Sequence, residues 1–530
     1  MGRVCYKHRF LFIIGFTNHW YMFHAHTKDL PKRLVGIATN KLSIYVFILI
    51  LLSIYTTGSP HFNYYLPFHA DEWDNIKIAQ EILKEGKIIE YNPFLPGNPY
   101  YINFDEEAHG VTNTNSALWE INYNLLIALS SLFTGIPVLK IGVILPTLFS
   151  FIMSFNTFIL VRYLTKNDLP AFLSAIFILT LKSNVTFLGP WFLVASSFGM
   201  ALIPMIFYLF LKSLVSGKYL PMLLLVFAAA TLAHPASTII FFPIFGLYIA
   251  LNPQTIKRNK KRLLISIVAL IFLLFIILPF EGSAMDYIVK IFKIITFSRS
   301  TPINGFVAVM QFPLYIGMAA FGLSIFGFFK TIMDNEAKIL PLSVDALLPL
   351  ILAYIYIGYT FFAPYERIVV YISEILLILA GIGLYHIYRF IENKKIATML
   401  IVVVLILQIN STFTFKDDMP LIIGLDEHEP ILWFKDNTPQ NAVVLATPRS
   451  SEAIGVIADR KVISLMRGRL GSSEDSINKT LDFFKGNNEI KEKLLMELKP
   501  DYIYSKEEIS LNSLKLVYTK NNIYIYEVKR

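Results

Sequence analysis

The sequence predicts a polytopic α-helical membrane protein with a small α/β region at its C-terminal end. Three observations carry that prediction. The 530 residues are 55% hydrophobic and only 16% charged, where a soluble chain carries about a quarter charged residues. Apolar runs recur that approach the roughly 20 residues needed to cross a bilayer. From about residue 416 the pattern changes to short alternating strands and amphipathic helices typical of a water-soluble fold. The net charge of +9 is no sign of nucleic-acid binding, because basic residues of a membrane protein concentrate in cytoplasmic loops. The single cysteine, Cys5, excludes an intrachain disulfide and any cysteine-based metal site.

Residues 1–27 have the basic start and short apolar centre of a signal peptide, but no small-residue cleavage site follows, and 28–41 is basic as cytoplasmic flanks are. Residues 1–40 therefore read as a cytoplasmic extension, with Met22 as an alternative start. The first span is 42–58, "LSIYVFILILLSIYTTG", preceded by Lys28, Lys32, Arg33 and Lys41. Its far end faces outward by the positive-inside rule. Keeping the later basic clusters (Arg162/Lys166, Lys212/Lys218, 257–262, Lys330/Lys338, Arg389/Lys394/Lys395) inside gives further spans near 137–161, 170–188, 198–214, 219–234, 237–251, 263–280, 306–329, 346–363, 367–389 and 397–414. That makes about eleven helices in a transmembrane region, 41–415, with a cytoplasmic N-terminus and an outward C-terminus. The run "SALWEINYNLLIALSSLFTGIP", 116–137, does not fit as a span, because crossing there would put Arg162 outside. Its stripe of Glu120, Asn124 and Ser131 opposite Leu118, Ile121, Leu125 and Leu132 is that of a helix lying in the membrane interface.

The first outer loop, 59–136, therefore carries two surface helices, 72–85 and 116–133, the first ended by Gly86. The tail, 416–530, is an extracytoplasmic α/β domain. Its strands are read in "NAVVLATP", "RKVISLM", "PDYIYS", "LKLVYT" and "IYIYEV", and its helices in "SEDSINKTLDFFKG" and "NEIKEKLLMEL". Glycosylation sequons at Asn184, Asn410 and Asn478 all fall on the outer side of this topology.

The chemistry concentrates in the first outer loop, where 59–117 holds nine acidic residues against three lysines. In "FHADEWDNIKIAQEILKEGK", 68–87, Asp71 is placed to cap the helix that follows, with Glu72 and Asp74 in its first turn. The same carboxylates at a membrane surface are placed for an active site. A second group, Asp105, Glu106, Glu107 and His109, follows in "NPFLPGNPYYINFDEEAHG". Two carboxylate groups in one loop can converge on a hard divalent cation, Mg²⁺ or Mn²⁺, with Asp71 among the ligands. Alternatively one carboxylate takes a proton from an acceptor hydroxyl.

The order of a cytoplasmic N-terminus, one span, a long outer loop opening on "DEW" and "IAQEILKEGK…NPF", and a surface helix before the next span resembles the GT-C superfamily of integral-membrane glycosyltransferases. That superfamily includes protein O-mannosyltransferases, the lipid A aminoarabinose transferase and the oligosaccharyltransferase catalytic subunit. The resemblance covers about 40–415. It implies a polyprenyl- or dolichyl-phosphate sugar as donor and an acceptor hydroxyl on a protein, lipid or glycan at the outer face. Asp71 then takes the place of the catalytic acidic residue, with Glu72 beside it. The chain lacks the "WWDYG" motif of oligosaccharyltransferases, which puts a peptide acceptor in doubt.

A lipid-phosphate donor calls for cations near the outer boundary. "FFAPYERIVVYISE", 361–374, places Tyr365, Glu366 and Arg367 there, and a guanidinium fork matches phosphate oxygens; pairing with Glu366 or with lipid headgroups is the alternative. Lys290, Lys293 and Arg299 sit in an outer loop against the positive-inside trend, as an anionic partner would require. His234, in "LAHPAS", lies near the outer end of a span, free to bind a metal, a sugar hydroxyl or a neighbouring carbonyl. The competing functions are a transporter or flippase of lipid-linked sugars and a non-catalytic scaffold. A transporter places charged or broken elements near the bilayer midplane, often in repeated halves, whereas here the acids gather in one outer loop.

Overall fold

The computed structural model describes residues 41–89, 91–97, 121–183, 188–252, 265, 268, 296–298, 312–334, 337–415, 419, 421–466, 470 and 472–529. The chain divides into two compact units, Met1–Leu51 and Leu52–Arg530, with the boundary inside the first helix, α1 (Lys41–Ser53). α1 runs on through a π turn, Ile54–Gly58. A short helix, Pro60–Asn63, leads to α2 (Ala70–Glu85). The membrane part continues through α3 (Ile121–Thr134), α4 (Val138–Thr165), α5 (Asp168–Ile178), α6 (Ala195–Val215), α7 (Leu220–Ala233) and α8 (Phe241–Leu251). β1 (Thr296–Ser298), α9 (Met318–Met333), α10 (Ile339–Ile357), β2 (Tyr359–Phe361), α11 (Tyr365–Phe390) and α12 (Lys394–Ser411) complete it.

Among the described residues six helices are long and apolar enough to cross a membrane, those beginning at Lys41, Val138, Ala195, Ile339, Tyr365 and Lys394. The chain is a polytopic helical membrane protein. Four of the other expected spans coincide with apolar helices shorter than a full crossing, and 263–280 lies almost wholly outside the described residues. The span expected over 170–188 stops at Ile178 for a local reason. The amides of Leu179, Thr180 and Leu181 each bond three residues back instead of four (3.1, 2.9 and 3.2 Å), which tightens and ends the helix. The 346–363 span shifts to 339–357, ended by Gly358 at φ 79°, a left-handed conformation that glycine tolerates.

α11 is the central helix, packed between α9 and α5. Small residues allow the approach. A Cβ on Gly381 would run into the backbone of Ser174, and one on Gly327 or Gly383 into the carbonyl of the facing helix. Such contacts are the usual means of close helix packing in lipid. Ser174 Oγ also donates across the same joint to Ile378 O at 2.8 Å.

The C-terminal segment comprises α13 (His428–Asn437), β3 (Val443–Leu445), α14 (Pro448–Ile457), β4 (Lys461–Val462), α15 (Glu474–Lys485), α16 (Asn488–Leu498), β5 (Tyr502–Ser505), β6 (Leu514–Lys520) and β7 (Ile523–Val528). The strands form one sheet in the order β4-β3-β5-β7-β6. β3 runs parallel to β4 and β5, while β7 is antiparallel to β5 and β6. Asn521 and Asn522, both at positive φ (53° and 59°), make the tight β6–β7 turn, as two-residue hairpins require. Leu445, Phe483, Ile503 and Tyr526 centre its core.

This segment is fastened to the loop around α2. Lys77, buried in α2, places Nζ 3.2 Å from Glu81 and 2.5 Å from Asp459, and Lys84 approaches the same two carboxylates at 3.5 and 3.6 Å. Gln80 Nε2 donates to Val456 O (3.3 Å), Asn92 Nδ2 to Leu470 O (2.6 Å), Val462 N to Phe94 O (2.9 Å) and Tyr64 OH to Ile423 O (2.7 Å). Gly455 lies so close to the Phe94 ring that a Cβ would collide with it. Removing one partner of a buried ion pair leaves the other uncompensated and costs about 3–5 kcal/mol. Lys77→Met keeps the aliphatic bulk and leaves Glu81 and Asp459 with only the half-exposed Lys84 as a cation, so the unfolding midpoint of the full chain in detergent should drop by several degrees. Lys77→Met combined with Asp459→Leu should recover part of that loss; equal midpoints for wild type and K77M would show that the ion cluster does not hold the joint.

Candidate functional site

The site grows from the start of α2. The expected N-cap was Asp71; the observed cap is His69, whose Nδ1 accepts from the Asp71 amide at 3.2 Å, so the helix begins two residues earlier, at Ala70. The reason lies in Glu72. Its Oε2 reaches back to accept from the amides of Phe68 and His69, each at 2.8 Å, closing a capping box in which a histidine stands where serine or threonine is usual. Its Oε1 accepts from the Leu193 amide at 2.8 Å. Asn75, one turn on, donates to the Leu193 carbonyl at 3.0 Å, so α2 grips both backbone groups of that residue. Trp191, two residues before, donates its indole N–H to Thr56 O at 2.8 Å, and His61 Nε2 lies 3.2 Å from Trp191 O.

Glu72 is thus buried, with both oxygens occupied by backbone donors. Burial pushes its carboxyl up to about 7, against the pull of the three amides. Asp71 is different. Its side chain is 40% exposed, with Oδ2 3.6 Å from His69 Nδ1, and the His69 ring meets the edge of Phe192 at 5.9 Å. Of the adjacent pair expected at the reaction centre, one carboxyl is accessible and the other holds the backbone beneath it.

A third carboxyl lies nearby that sequence reading missed. Glu452, on α14, is buried, and its burial together with the charges of Asp74 and Asp71 pushes it well above the usual carboxylate range. Nothing in "SSEAIGV" marks it, because the meeting of α14 with α2 is a tertiary event.

The expected phosphate site sits at the first turn of α11. Tyr365 is buried with its ring stacked on Tyr354 (centroids 4.5 Å apart), Glu366 is half-buried, and Arg367 lies within electrostatic reach of His234 and Tyr371. His234 caps the C-terminal end of α7. Instead of a neighbouring carbonyl, its Nδ1 meets the Ser237 hydroxyl at 2.7 Å, which in turn meets Tyr371 OH at 2.8 Å. The turn at Pro235 makes this possible by carrying the chain back over the histidine into the short helix Ala236–Ile239. Gly199 of α6 packs directly on Ser237, where a side chain would displace it. Arg367 and His234 are therefore joined by two residues, Ser237 and Tyr371, that the sequence did not single out. Glu374, one turn beyond Tyr371, is fully buried, with neither oxygen hydrogen-bonded among the described residues.

The α3 helix turns its expected polar stripe inward: Asn124 and Ser131 are buried, while Leu132 and Phe133 are exposed. Asp105, Glu106, Glu107, His109, Lys290, Lys293 and Arg299 lie outside the described residues, as does Asn184. Among the described residues no three His, Cys, Asp or Glu side chains are gathered to hold a metal ion.

No protein-family model matches the chain, and no curated protein matches it. Solved structures do. ArnT from Cupriavidus metallidurans, in its apo state, superposes with a TM-score of 0.56 at 9% identity, covering 92% of this chain and 98% of that one. The Archaeoglobus fulgidus oligosaccharyltransferase, tethered to an acceptor peptide containing an NVT sequon, gives 0.54 at 13% identity over 87% of this chain and 68% of that one. The arabinofuranosyltransferase AftD from Mycobacteria gives 0.50 at 11% identity, covering 92% of this chain and 40% of that one, so the chain spans less than half the length of AftD. The chain thus shares its fold with these three proteins.

Proposed function

We propose that the protein is a membrane glycosyltransferase that moves a sugar from a polyprenyl- or dolichyl-phosphate donor to an acceptor hydroxyl on a protein, lipid or glycan at the outward face. The observation that carries this reading is the contrast between adjacent carboxyls: Asp71 half-open beside His69, Glu72 buried under it with its oxygens bonded to backbone amides. Asp71 is the general base. It takes the proton of the acceptor hydroxyl as that oxygen bonds to the anomeric carbon, and the bond from that carbon to the phosphate oxygen breaks with its electron pair leaving on the polyprenyl phosphate. Inversion at the anomeric carbon follows from attack opposite the leaving group. Glu72 positions Asp71. Arg367, with Lys290 and Lys293 from the outer loop expected over 281–305, binds the donor phosphate, while Tyr365, Glu366 and His234 shape the pocket around it. The loop bearing α2 and the C-terminal segment face outward, and residues 1–40 are cytoplasmic. The GT-C fold favours this reading over a transporter.

Replacing Asp71 with Asn should lower transfer from a labelled lipid-phosphate donor by about 10²–10⁴-fold, the usual contribution of a general base, with the unfolding midpoint unchanged. Wild-type turnover in D71N would remove Asp71 from the mechanism. Chelation separates the base from a metal-ligand role. If Asp71 instead joins Asp105, Glu106, Glu107 and His109 around Mg²⁺ or Mn²⁺, EDTA abolishes transfer and added metal restores it; a base acting alone leaves turnover unaltered. Glu72 makes a separate prediction. Its folded-state value of about 7, against an ordinary 4.5, means that its stabilising effect is complete below pH 4.5 and is lost as pH rises through 7, by up to about 3 kcal/mol. Glu72→Gln carries no such proton, so midpoints measured from about pH 5 to 8 should fall for wild type relative to E72Q; parallel curves would refute it.

A further inference from the structure

α2 and α14 lie side by side and run in the same direction, and their contacts set a register. Lys77 and Lys84 meet Asp459 at the C-terminal end of the pair, and Gln80 meets the Val456 carbonyl. Toward the N-terminal ends, Glu452 comes within electrostatic reach of Asp74 and Asp71. Asp71, Asp74, Lys77, Glu81 and Lys84 follow at intervals of three and four, one stripe of α2. Glu452 and Val456 do the same on α14, and Asp459 follows just beyond its end.

The two ends of this seam differ in kind. At one end lysines sit between carboxylates, and the charges cancel. At the other, the charges of Asp74 and Asp71 act on Glu452, with Arg449 of α14 as a cation in electrostatic reach of it. Glu452 is only 3% exposed. The Met466 amide bonds its carboxyl, yet among the described residues Oε2 has no hydrogen-bond partner. A buried polar oxygen left unsatisfied costs about 1–3 kcal/mol, and the two neighbouring acids add repulsion. Helix packing alone does not require this group: a methionine of similar length would fill the same volume without either penalty. A hydroxyl-bearing molecule seated over Asp71 would supply the missing donor.

We propose that Glu452 is a substrate-positioning residue of the Asp71 site, its Oε2 receiving a hydroxyl of the carbohydrate or acceptor that occupies it, so that the C-terminal segment forms one wall of that site. The proposal rests on the reading of Asp71 as the reaction centre. The hydroxyl belongs either to the donor sugar or to the acceptor, and kinetics tells which.

The experiment uses the full chain in proteoliposomes, with a donor chosen by screening wild type against dolichyl- and undecaprenyl-phosphate hexoses and pentoses. Glu452→Met fills the buried space without an acceptor, and Glu452→Gln keeps a polar terminus of the same size. E452M should raise KM about tenfold, as the loss of one hydrogen bond predicts, for the donor if the hydroxyl is the donor's and for the acceptor if it is the acceptor's. Its kcat and unfolding midpoint should stay near wild type, and E452Q should recover most of the affinity. Unchanged KM for both substrates in E452M, or a loss that follows a lowered midpoint, overturns the assignment. Full activity in D71N would instead overturn the base while leaving the KM test of Glu452 readable.

Discussion

The carboxyl group of Glu72 is the point on which the rest of the site is built. Three backbone amides from two distant stretches of chain, 68–69 and 193, converge on its two oxygens. Amides bonded to a carboxylate are held more strongly than amide pairs, and these lie where water cannot compete. The consequence is geometric. The first turn of α2 cannot tilt without breaking the link to Leu193, and Leu193 cannot withdraw without also breaking the bond from Asn75. Asp71 therefore projects from a turn whose position is fixed by the bundle, although its own side chain is free to meet solvent.

The same helix divides its charges along its length. From Lys77 onward it places lysines against Glu81 and Asp459 and so closes the seam with the C-terminal segment. Its first turn and a half carries the acids Asp71, Glu72 and Asp74. A uniformly neutralised stripe would bind the segment better and leave nothing for chemistry; a uniformly acidic one would repel it. Separating the two tasks along 16 residues lets one element anchor a layer and hold an accessible carboxyl, Asp71. Pro93, Phe94 and Asn92 extend the anchor beyond the helix end through bonds to Lys461, Val462 and Leu470, so α2, residues 92–94 and the sheet are tied together.

Much of this was legible in the chain itself. Apolar runs located the helices, because crossing a bilayer imposes a length and a hydropathy that few other constraints mimic. The tail strands were legible from period-two alternation, and their sheet order was not, since β5 lies between β3 and β7 only through contacts remote in sequence. Asp71 and Glu72 were singled out together, but adjacency in a helix rotates neighbours by about 100°, enough to expose one and bury the other. The cap illustrates the limit well. Aspartate is the commoner N-cap, yet a glutamate at the third position with two amides within reach favours His69. Helix α3 was legible as amphipathic, but not which side faces protein: in lipid the polar stripe turns inward, the reverse of a soluble helix.

Around His234 the same logic of fixed backbone and poised side chain recurs without a carboxylate clamp. His234, Ser237 and Tyr371 come from the ends of two helices and the face of a third, and their alignment depends on how near α6 can come. Gly199 sets that limit. With no side chain there, Ser237 sits against the α6 backbone, and its hydroxyl is left to bridge histidine and tyrosine. Arg367 and Glu374 flank Tyr371 on the same face of α11, one turn before and one after, so the helix presents cation, hydroxyl and acid in series. An anion approaching from the N-terminal end of α11 encounters the arginine first. The acid lies about 10 Å further along the axis, given a rise of roughly 1.5 Å per residue, too far to repel an anion held at the first turn. The order of residues on α11 thus suits an anion at its N-terminal end and disfavours one deeper along the helix.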